Sequence, residues 1–160
     1  MAAKLTDVEI AKLLAEPKTL DTDFRSRIVL RTKRGHKERE LDIPGSAGGE
    51  FQLVLRQGSI NPMDFSVILL YRVPGSSQLV RLRRYNGKSH DHTNVLESQS
   101  LDGFHIHTAT ERYQDSGLRE DGYAEATDRY ADLAGAVKCM LSDCGFVVPP
   151  QMQMTMFEGD

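Results

Sequence analysis

The chain has 160 residues, of which 39% are hydrophobic and 27% are charged, and its formal net charge is −3. This composition is typical of one globular domain and excludes a disordered chain. No apolar run approaches the roughly 18 residues that a membrane span needs, and acidic residues interrupt the N-terminal stretch where a signal peptide would be apolar. We therefore expect a cytoplasmic protein that makes no membrane contact. Two cysteines without an export signal, Cys139 and Cys144, also favour a reducing compartment.

The charge is distributed unevenly along the chain. Residues 25–90 hold 13 Lys or Arg and 5 Asp or Glu, a net charge of +8, whereas residues 91–160 hold 4 and 13, a net charge of −9. Such a distribution has two interpretations. Either the basic half faces a polyanion such as RNA, or the two halves neutralise each other within one packed domain.

The first predicted element is a short N-terminal helix. Thr6 and Glu9 have the spacing of a capping box, and Pro17 ends the helical pattern. The apolar face of this helix consists of Ile10, Leu13 and Leu14.

A meander of strands is predicted to follow, because alternating apolar residues are separated by short turn sequences rich in Gly, Pro and Asn. Short connections favour antiparallel pairing. The predicted strands are residues 25–33, 37–43, 51–56, 65–73 and 78–85.

The second half of the chain is less regular. Residues 88–103 are predicted to be a loop, residues 104–108 a strand, and residues 117–128 irregular, with a short helix beginning near Ala109. A longer helix is predicted from the N-cap Asp132 to Cys144, followed by Gly145. The complete prediction is an α+β domain over residues 1–150, with a five- to six-stranded antiparallel meander sheet and an N-terminal and a C-terminal helix packed on it. Residues 151–160 are predicted to be a flexible tail.

Four of the five histidines lie within 18 residues, as two His-x-His pairs: His90 with His92, and His105 with His107. Alternate side chains of a strand share a face, so His105 and His107 are expected to point the same way. Since Phe104 and Ile106 are apolar and belong in the core, the two histidines are predicted to face outward or into a cleft.

Three interpretations of these histidines remain open. In the first, His90, His92, His105 and His107 bind Zn or another divalent metal, since three imidazoles form a common catalytic metal site. In the second, a metal-free site performs acid–base cleavage of RNA with no cofactor. Its predicted catalytic residues are His105, His107, Glu111, Arg112 and Tyr113. In the third, the histidines are structural and bond backbone carbonyls.

Basic residues of the predicted strands are candidates for nucleic-acid binding, because Arg and Lys neutralise backbone phosphates. The predicted contact residues are Arg81, Arg83, Arg84 and Lys88. Arg81 and Arg83 are two positions apart, and Arg25, Arg27, Arg31 and Lys33 are also separated by even numbers of positions. Because side chains alternate along a strand, each set lines one sheet face if its strand is regular. A solvated antiparallel face has the same charge pattern, and that alternative stays open.

Three segments carry a resemblance to a known group of sequences: YNGKSHDHTN (Tyr85–Asn94), FHIHTATERYQ (Phe104–Gln114) and EDGYAEATDRYADL (Glu120–Leu133). They resemble a group of small bacterial proteins of unknown function. The resemblance implies a bacterial or phage origin and an intracellular, accessory role. It implies no activity, cofactor or site residue.

The function that these patterns favour is that of a nucleic-acid-directed protein, of the kind of a small metal-independent ribonuclease in a toxin or defence system. One alternative is a metal-dependent enzyme with a histidine-rich site. Another is a non-enzymatic interaction module, which docks a protein partner through its acidic C-terminal half or its methionine-bearing tail.

Overall fold

The computed structural model describes residues 4–150 of the chain, and the predicted tail at 151–160 lies outside them. The first element is helix α1 (Asp7–Ala15). The Thr6 hydroxyl accepts a hydrogen bond from the Glu9 N–H, and the Glu9 carboxylate accepts one from the Thr6 N–H. The predicted capping box is therefore confirmed.

Residues 18–27 form a short strand, β1 (Lys18–Thr19), and a short helix, α2 (Phe24–Arg27). The prediction of a strand from residue 25 is therefore wrong in its first part. The helical turn places Phe24 in the core and brings Arg27 within 2.7 Å of Asp21. The burial of Phe24 thus outweighs the local strand pattern.

The predicted meander is confirmed, and each of its strands pairs antiparallel with the next. Its turns use glycines where the backbone requires a positive φ, as at Gly35 and Gly75. The five strands are β2 (Arg31–Lys33), β3 (His36–Pro44), β4 (Glu50–Gly58), β5 (Phe65–Arg72) and β6 (Leu79–Asn86).

Beyond β6 the chain forms a small hairpin of β7 (His92–Asn94) and β8 (Gln99–Leu101). It then returns to the sheet as β9 (His105–Thr108), passes through helix α3 (Glu111–Asp115), and adds β10 (Tyr123–Ala126). The predictions of a loop at 88–103 and irregular structure at 117–128 are wrong in part, because each segment contains short strands: β7 pairs with β8 within the first, and β10 in the second pairs with β9. Within residues 4–150, the main sheet has seven strands, in the order β10-β9-β6-β5-β4-β3-β2.

The C-terminal helix α4 (Leu133–Asp143) agrees with the prediction. The Asp132 carboxylate accepts a hydrogen bond from the Gly135 N–H, and Gly145 adopts a positive φ just after the helix. Strand β11 (Phe146–Val147) follows α4 and pairs parallel with β1. Both cysteines are free thiols, at or near the C-terminal end of α4.

The two long helices cover one face of the sheet, which we call the inner face. Apolar residues of α1 and α4 share one core with the inward side chains of β4 and β5, such as Leu53 and Leu69. The α+β class and the two packed helices are therefore as predicted. The helices of the described chain include none that is long and apolar enough to cross a membrane.

The opposite, outer face is defined by the register of the ladder. One row across this face runs from the β2 edge to β9, and its members are Arg31, Glu38, Arg56, Ser66, Asn86 and His105. The basic edge strand and the histidine-bearing strand therefore lie on the same face, at opposite ends of the sheet. Five strand spacings of about 4.8 Å separate them, or about 24 Å.

Candidate functional site

Three of the four clustered histidines meet at one end of the outer face. His105 and His107 project from β9, and His92 reaches them from β7. The ring centroids are 5.6 Å apart for His92 and His105, 4.4 Å for His92 and His107, and 5.1 Å for His105 and His107. The two His-x-His pairs therefore meet in space through His92.

His105 and His107 do not face the solvent, which was one of the two predicted orientations. The predicted alternation holds, since Ile106 packs against the main core, but the two histidines are only 1% and 2% exposed. The β7–β8 hairpin lies against this part of the outer face and shields the rings from solvent. A segment predicted to be a loop thus converts an exposed histidine face into a second, polar core.

Each of the three rings donates one N–H to a backbone carbonyl. His105 Nδ1 donates to Gly103 O (2.9 Å), His107 Nδ1 to Asp121 O (2.7 Å), and His92 Nε2 to Gly122 O (2.9 Å). These bonds favour the protonated form of His105 and His107, but burial opposes a charge on either ring and outweighs them. The cluster thus has the hydrogen bonding of a structural core.

Burial lowers the pKa of His107 to about 3, with a smaller contribution from the positive charge of Arg84. Burial lowers the pKa of His105 as well. Both rings are therefore neutral at pH 7. A histidine with a pKa near 3 has no proton to donate at that pH and is a weak base, so this arrangement is unfavourable for general acid–base catalysis.

The predicted metal-ligand set is not assembled. In the described part of the chain, no group of three or more His, Cys, Asp or Glu side chains is arranged to hold a metal ion. Among the described residues, the exposed His90 makes no ring contact with the three clustered histidines, and its Nδ1 lies 2.9 Å from the Ser89 hydroxyl. The three clustered rings each use one nitrogen on a backbone carbonyl.

Helix α3 directs the other predicted catalytic residues away from the histidines. The Glu111 carboxylate accepts a hydrogen bond from the Asp7 N–H, and the Glu111 N–H donates to the Asp7 carboxylate, which joins α3 to α1. Arg112 pairs with Glu97, and the Tyr113 hydroxyl donates to the same carboxylate (2.6 Å). Within residues 4–150, none of the three bonds to His105 or His107, so the predicted cluster does not form one site.

A bulge in β6 separates the predicted nucleic-acid-binding arginines. Leu82 has no partner on β5, because Arg81 pairs with Leu70 and Arg83 with Leu69. As a result Arg83 lies on the inner face, where it donates to the Tyr85 hydroxyl (3.4 Å). The bulge interrupts the regular alternation of side chains between Arg81 and Arg83, so these two arginines do not line one face.

The other two predicted contacts are also engaged. Arg84 forms a 2.9 Å ion pair with the fully buried Asp121, while the Lys88 ammonium lies 5.5 Å from the centroid of the Phe104 ring. The pair of Arg84 and Asp121 joins the basic half of the sequence to the acidic half. Neutralisation between the halves therefore accounts for Arg84.

Two buried polar residues of this region were missed by the sequence reasoning. The Asn94 side chain accepts from the Ala124 N–H (2.9 Å) and donates to the Ala124 carbonyl (2.8 Å), as a neighbouring strand would. Asp121 supplies its carbonyl to His107 and its carboxylate to Arg84. Neither residue has a periodic signal, although both lie inside the segments that carry the resemblance.

A basic surface lies at the other end of the sheet. We call it the basic end, and its exposed residues are Arg31, Lys33, Arg34, Lys37 and Arg56. It belongs to a stretch, residues 25–39, with seven Lys or Arg and one Asp or Glu, a net charge of +6.

The positive charge of the basic end is only partly compensated. Glu38 pairs with both Lys33 (3.1 Å) and Arg56 (3.3 Å). Arg31, Arg34 and Lys37 form no ion pair with any acidic side chain of the described chain. Neutralisation between the halves therefore does not extend to this surface.

Two grooves border the basic end. The first, of about 200 Å³, is lined by Arg31, Lys33, Glu38, Arg39 and Glu40. The second, which we call the Asp64 groove, has a volume of about 260 Å³. Its lining residues are Gly35, His36, Arg56, Gln57, Gly58, Asp64, Phe65 and Ser66.

Comparison with known proteins is consistent with the resemblance seen in the sequence. Neither the curated proteins nor the solved structures contain a match to this chain. A family model described as a family of unknown function (DUF6978) matches residues 5–139, which includes the meander, the histidine cluster and most of α4. The chain belongs to this family of unknown function.

Proposed function

We propose that the protein is directed to nucleic acid and binds single-stranded RNA through the basic end. The observation that carries the proposal is a set of three exposed cations, Arg31, Arg34 and Lys37, which have no acidic partner in the described chain; Arg31 also lines one of the two grooves. Unpaired cations at one end of a sheet attract a polyanion, and grooves beside them suit unstacked bases. In this proposal the protein is a cytoplasmic bacterial or phage protein of toxin or defence type.

The binding test compares two triple variants that remove the same charge. Arg31→Ser/Arg34→Ser/Lys37→Ser is expected to weaken binding of a 12-nucleotide RNA at least tenfold and to lower the slope of log K against log salt by about 2. Lys4→Ser/Lys12→Ser/Arg119→Ser, which changes exposed residues elsewhere, should leave most of the affinity. Fluorescence anisotropy at several salt concentrations measures the affinity and its salt dependence for each variant. Equal weakening by the two variants, or no RNA binding at low salt, would contradict the proposal.

The ribonuclease form of the proposal requires a further step. The histidines lie about 24 Å from the β2 edge of the basic end and beneath the β7–β8 hairpin, so the hairpin must open before RNA can reach His105 and His107. This form predicts cleavage of end-labelled RNA in EDTA by the natural protein and loss of cleavage in His107→Asn. Intact RNA after incubation with protein that binds it would exclude the nuclease and leave the binding function.

A further inference from the structure

We propose that the Asp64 groove recognises a single guanine base of the bound RNA through the carboxylate of Asp64. This inference rests on the proposed RNA binding and adds a base preference to it. A groove of about 260 Å³ is smaller than the roughly 300–1,000 Å³ that drug-sized ligands occupy. One base with its ribose outside is an occupant of suitable size.

The backbone places the Asp64 carboxylate against the groove wall. The Gly58 N–H donates to the Asp64 carbonyl (2.7 Å), which holds the turn between β4 and β5 closed. A Cβ atom at position 58 would lie 2.9 Å from Asp64 Oδ2. Glycine at this position therefore leaves room for the carboxylate, and a larger residue would displace it from the groove.

Asp64 is positioned by one hydrogen bond and keeps an open acceptor. Its Oδ1 accepts from the Ser89 hydroxyl (3.0 Å), and that hydroxyl lies 2.9 Å from His90 Nδ1. Asp64 Oδ2 has no hydrogen-bond partner in the described chain, and no basic side chain there forms an ion pair with Asp64, although Arg56 of the basic end lines the same groove. An unpaired carboxylate would repel phosphate, so its place beside Arg56 suits a ligand group that donates hydrogen bonds.

Guanine is the base whose Watson–Crick edge best matches a carboxylate. Its N1–H and its exocyclic amino group are adjacent donors, so both can bond to one carboxylate. Uracil offers one N–H between two carbonyl oxygens, which a carboxylate repels, and adenine and cytosine each offer one amino group on that edge. The planar groups of His36 and Arg56 line the groove and can stack on a base.

The proposed path of the RNA combines the two surfaces. His36 is anchored where its Nδ1 donates to the Arg34 carbonyl (3.2 Å), which directs its Nε2 away from the backbone. Arg56 lines the groove, and Glu38 pairs with both Arg56 and Lys33. Phosphates would lie along these cations while one base enters the groove.

The test measures binding of two 12-nucleotide RNAs, oligo(U) and oligo(U) with one central G, to three forms of the full chain. The natural protein is expected to bind the G-containing RNA roughly tenfold more tightly. Asp64→Asn should lose this preference, because an amide cannot accept both donors. Asp102→Asn, which removes the same charge from an exposed site elsewhere, should keep it. Circular dichroism and thermal melting confirm that each variant is folded.

The outcomes separate this inference from the proposed function. If the natural protein binds both RNAs equally, or Asp64→Asn retains the preference for G, the base-recognition proposal is overturned while RNA binding stands. If neither RNA binds at low salt, the proposed function itself fails and the inference fails with it. A preference lost equally in Asp64→Asn and Asp102→Asn would assign it to net charge and would also overturn the inference.

Discussion

Replacement of Lys18 by methionine is expected to lower the free energy of unfolding by about 3–5 kcal/mol. The Lys18 side chain is fully buried, and its ammonium donates to the carbonyls of Leu13, Glu16 and Cys144 at 2.8 Å each. It also lies 4.3 Å from the centroid of the Phe51 ring. Burial lowers the pKa of Lys18 to about 8, so the side chain is still charged at neutral pH.

The physical reason for the large effect is that Lys18 satisfies the C-terminal ends of two helices. The last carbonyls of a helix have no partner within it and carry partial negative charge. Methionine has a similar length but no donor, so it would leave buried carbonyls of α1 and α4 unpaired. Chemical unfolding monitored by circular dichroism measures the loss of stability.

Lys12→Met is the matched control, because Lys12 is an exposed residue of α1. Its effect is expected to stay within about 0.5 kcal/mol. A similar loss of stability in both variants would mean that the carbonyl contacts of Lys18 contribute little and that methionine itself disturbs the helix.

The protein is expected to lose stability steeply as the pH falls below about 6.5, and His107 is expected to be one of the causes. An unfolded histidine binds a proton near pH 6.5, whereas the pKa of folded His107 is lowered to about 3. Between these values the unfolded state binds more protons, so the free energy of unfolding decreases as the pH falls. The slope is about 1.4 kcal/mol per pH unit for each such histidine. His105, whose pKa is also lowered, acts in the same direction.

A variant without the titrating ring isolates this contribution. His107→Asn can donate an amide N–H toward the Asp121 carbonyl but has no proton to take up in this range. It should be less stable than the natural protein at pH 7, because ring contacts with His92 and His105 are lost. The difference in the free energy of unfolding between the two proteins should then narrow as the pH is lowered toward 4. A constant difference over that range, measured by urea unfolding at each pH, would show that His107 is not kept neutral by the fold.

The elements that local chemistry specifies could be predicted from the sequence by itself. The capping box of Thr6 and Glu9, the N-cap Asp132 and the turn at Gly75 depend on residues within a few positions of one another. The meander follows from the same short-range rules, since period-two alternation and short turns leave antiparallel neighbours as the simple solution. The α+β class and the two packed helices were therefore predictable, and so was membership of an uncharacterised family.

The chemistry of the site depended on contacts between distant segments. The β7–β8 hairpin has no strong local strand signal, yet Asn94 bonds to Ala124, thirty residues away, and the hairpin buries the histidines. The bulge at Leu82 reverses the face of Arg83, because one unpaired residue shifts the alternation. Assigning residues to a sheet face by their even spacing in the sequence cannot reveal such a shift.

The sequence by itself determined the secondary-structure framework, the uneven charge and the presence of a histidine-rich segment. Only the tertiary structure decided that His105 and His107 are buried, that Glu111 and Tyr113 lie elsewhere, and that the basic end keeps unpaired cations. The physical reason is that burial, pKa and ion pairing depend on what covers a side chain. The covering groups here come from strands that pair across long distances in sequence.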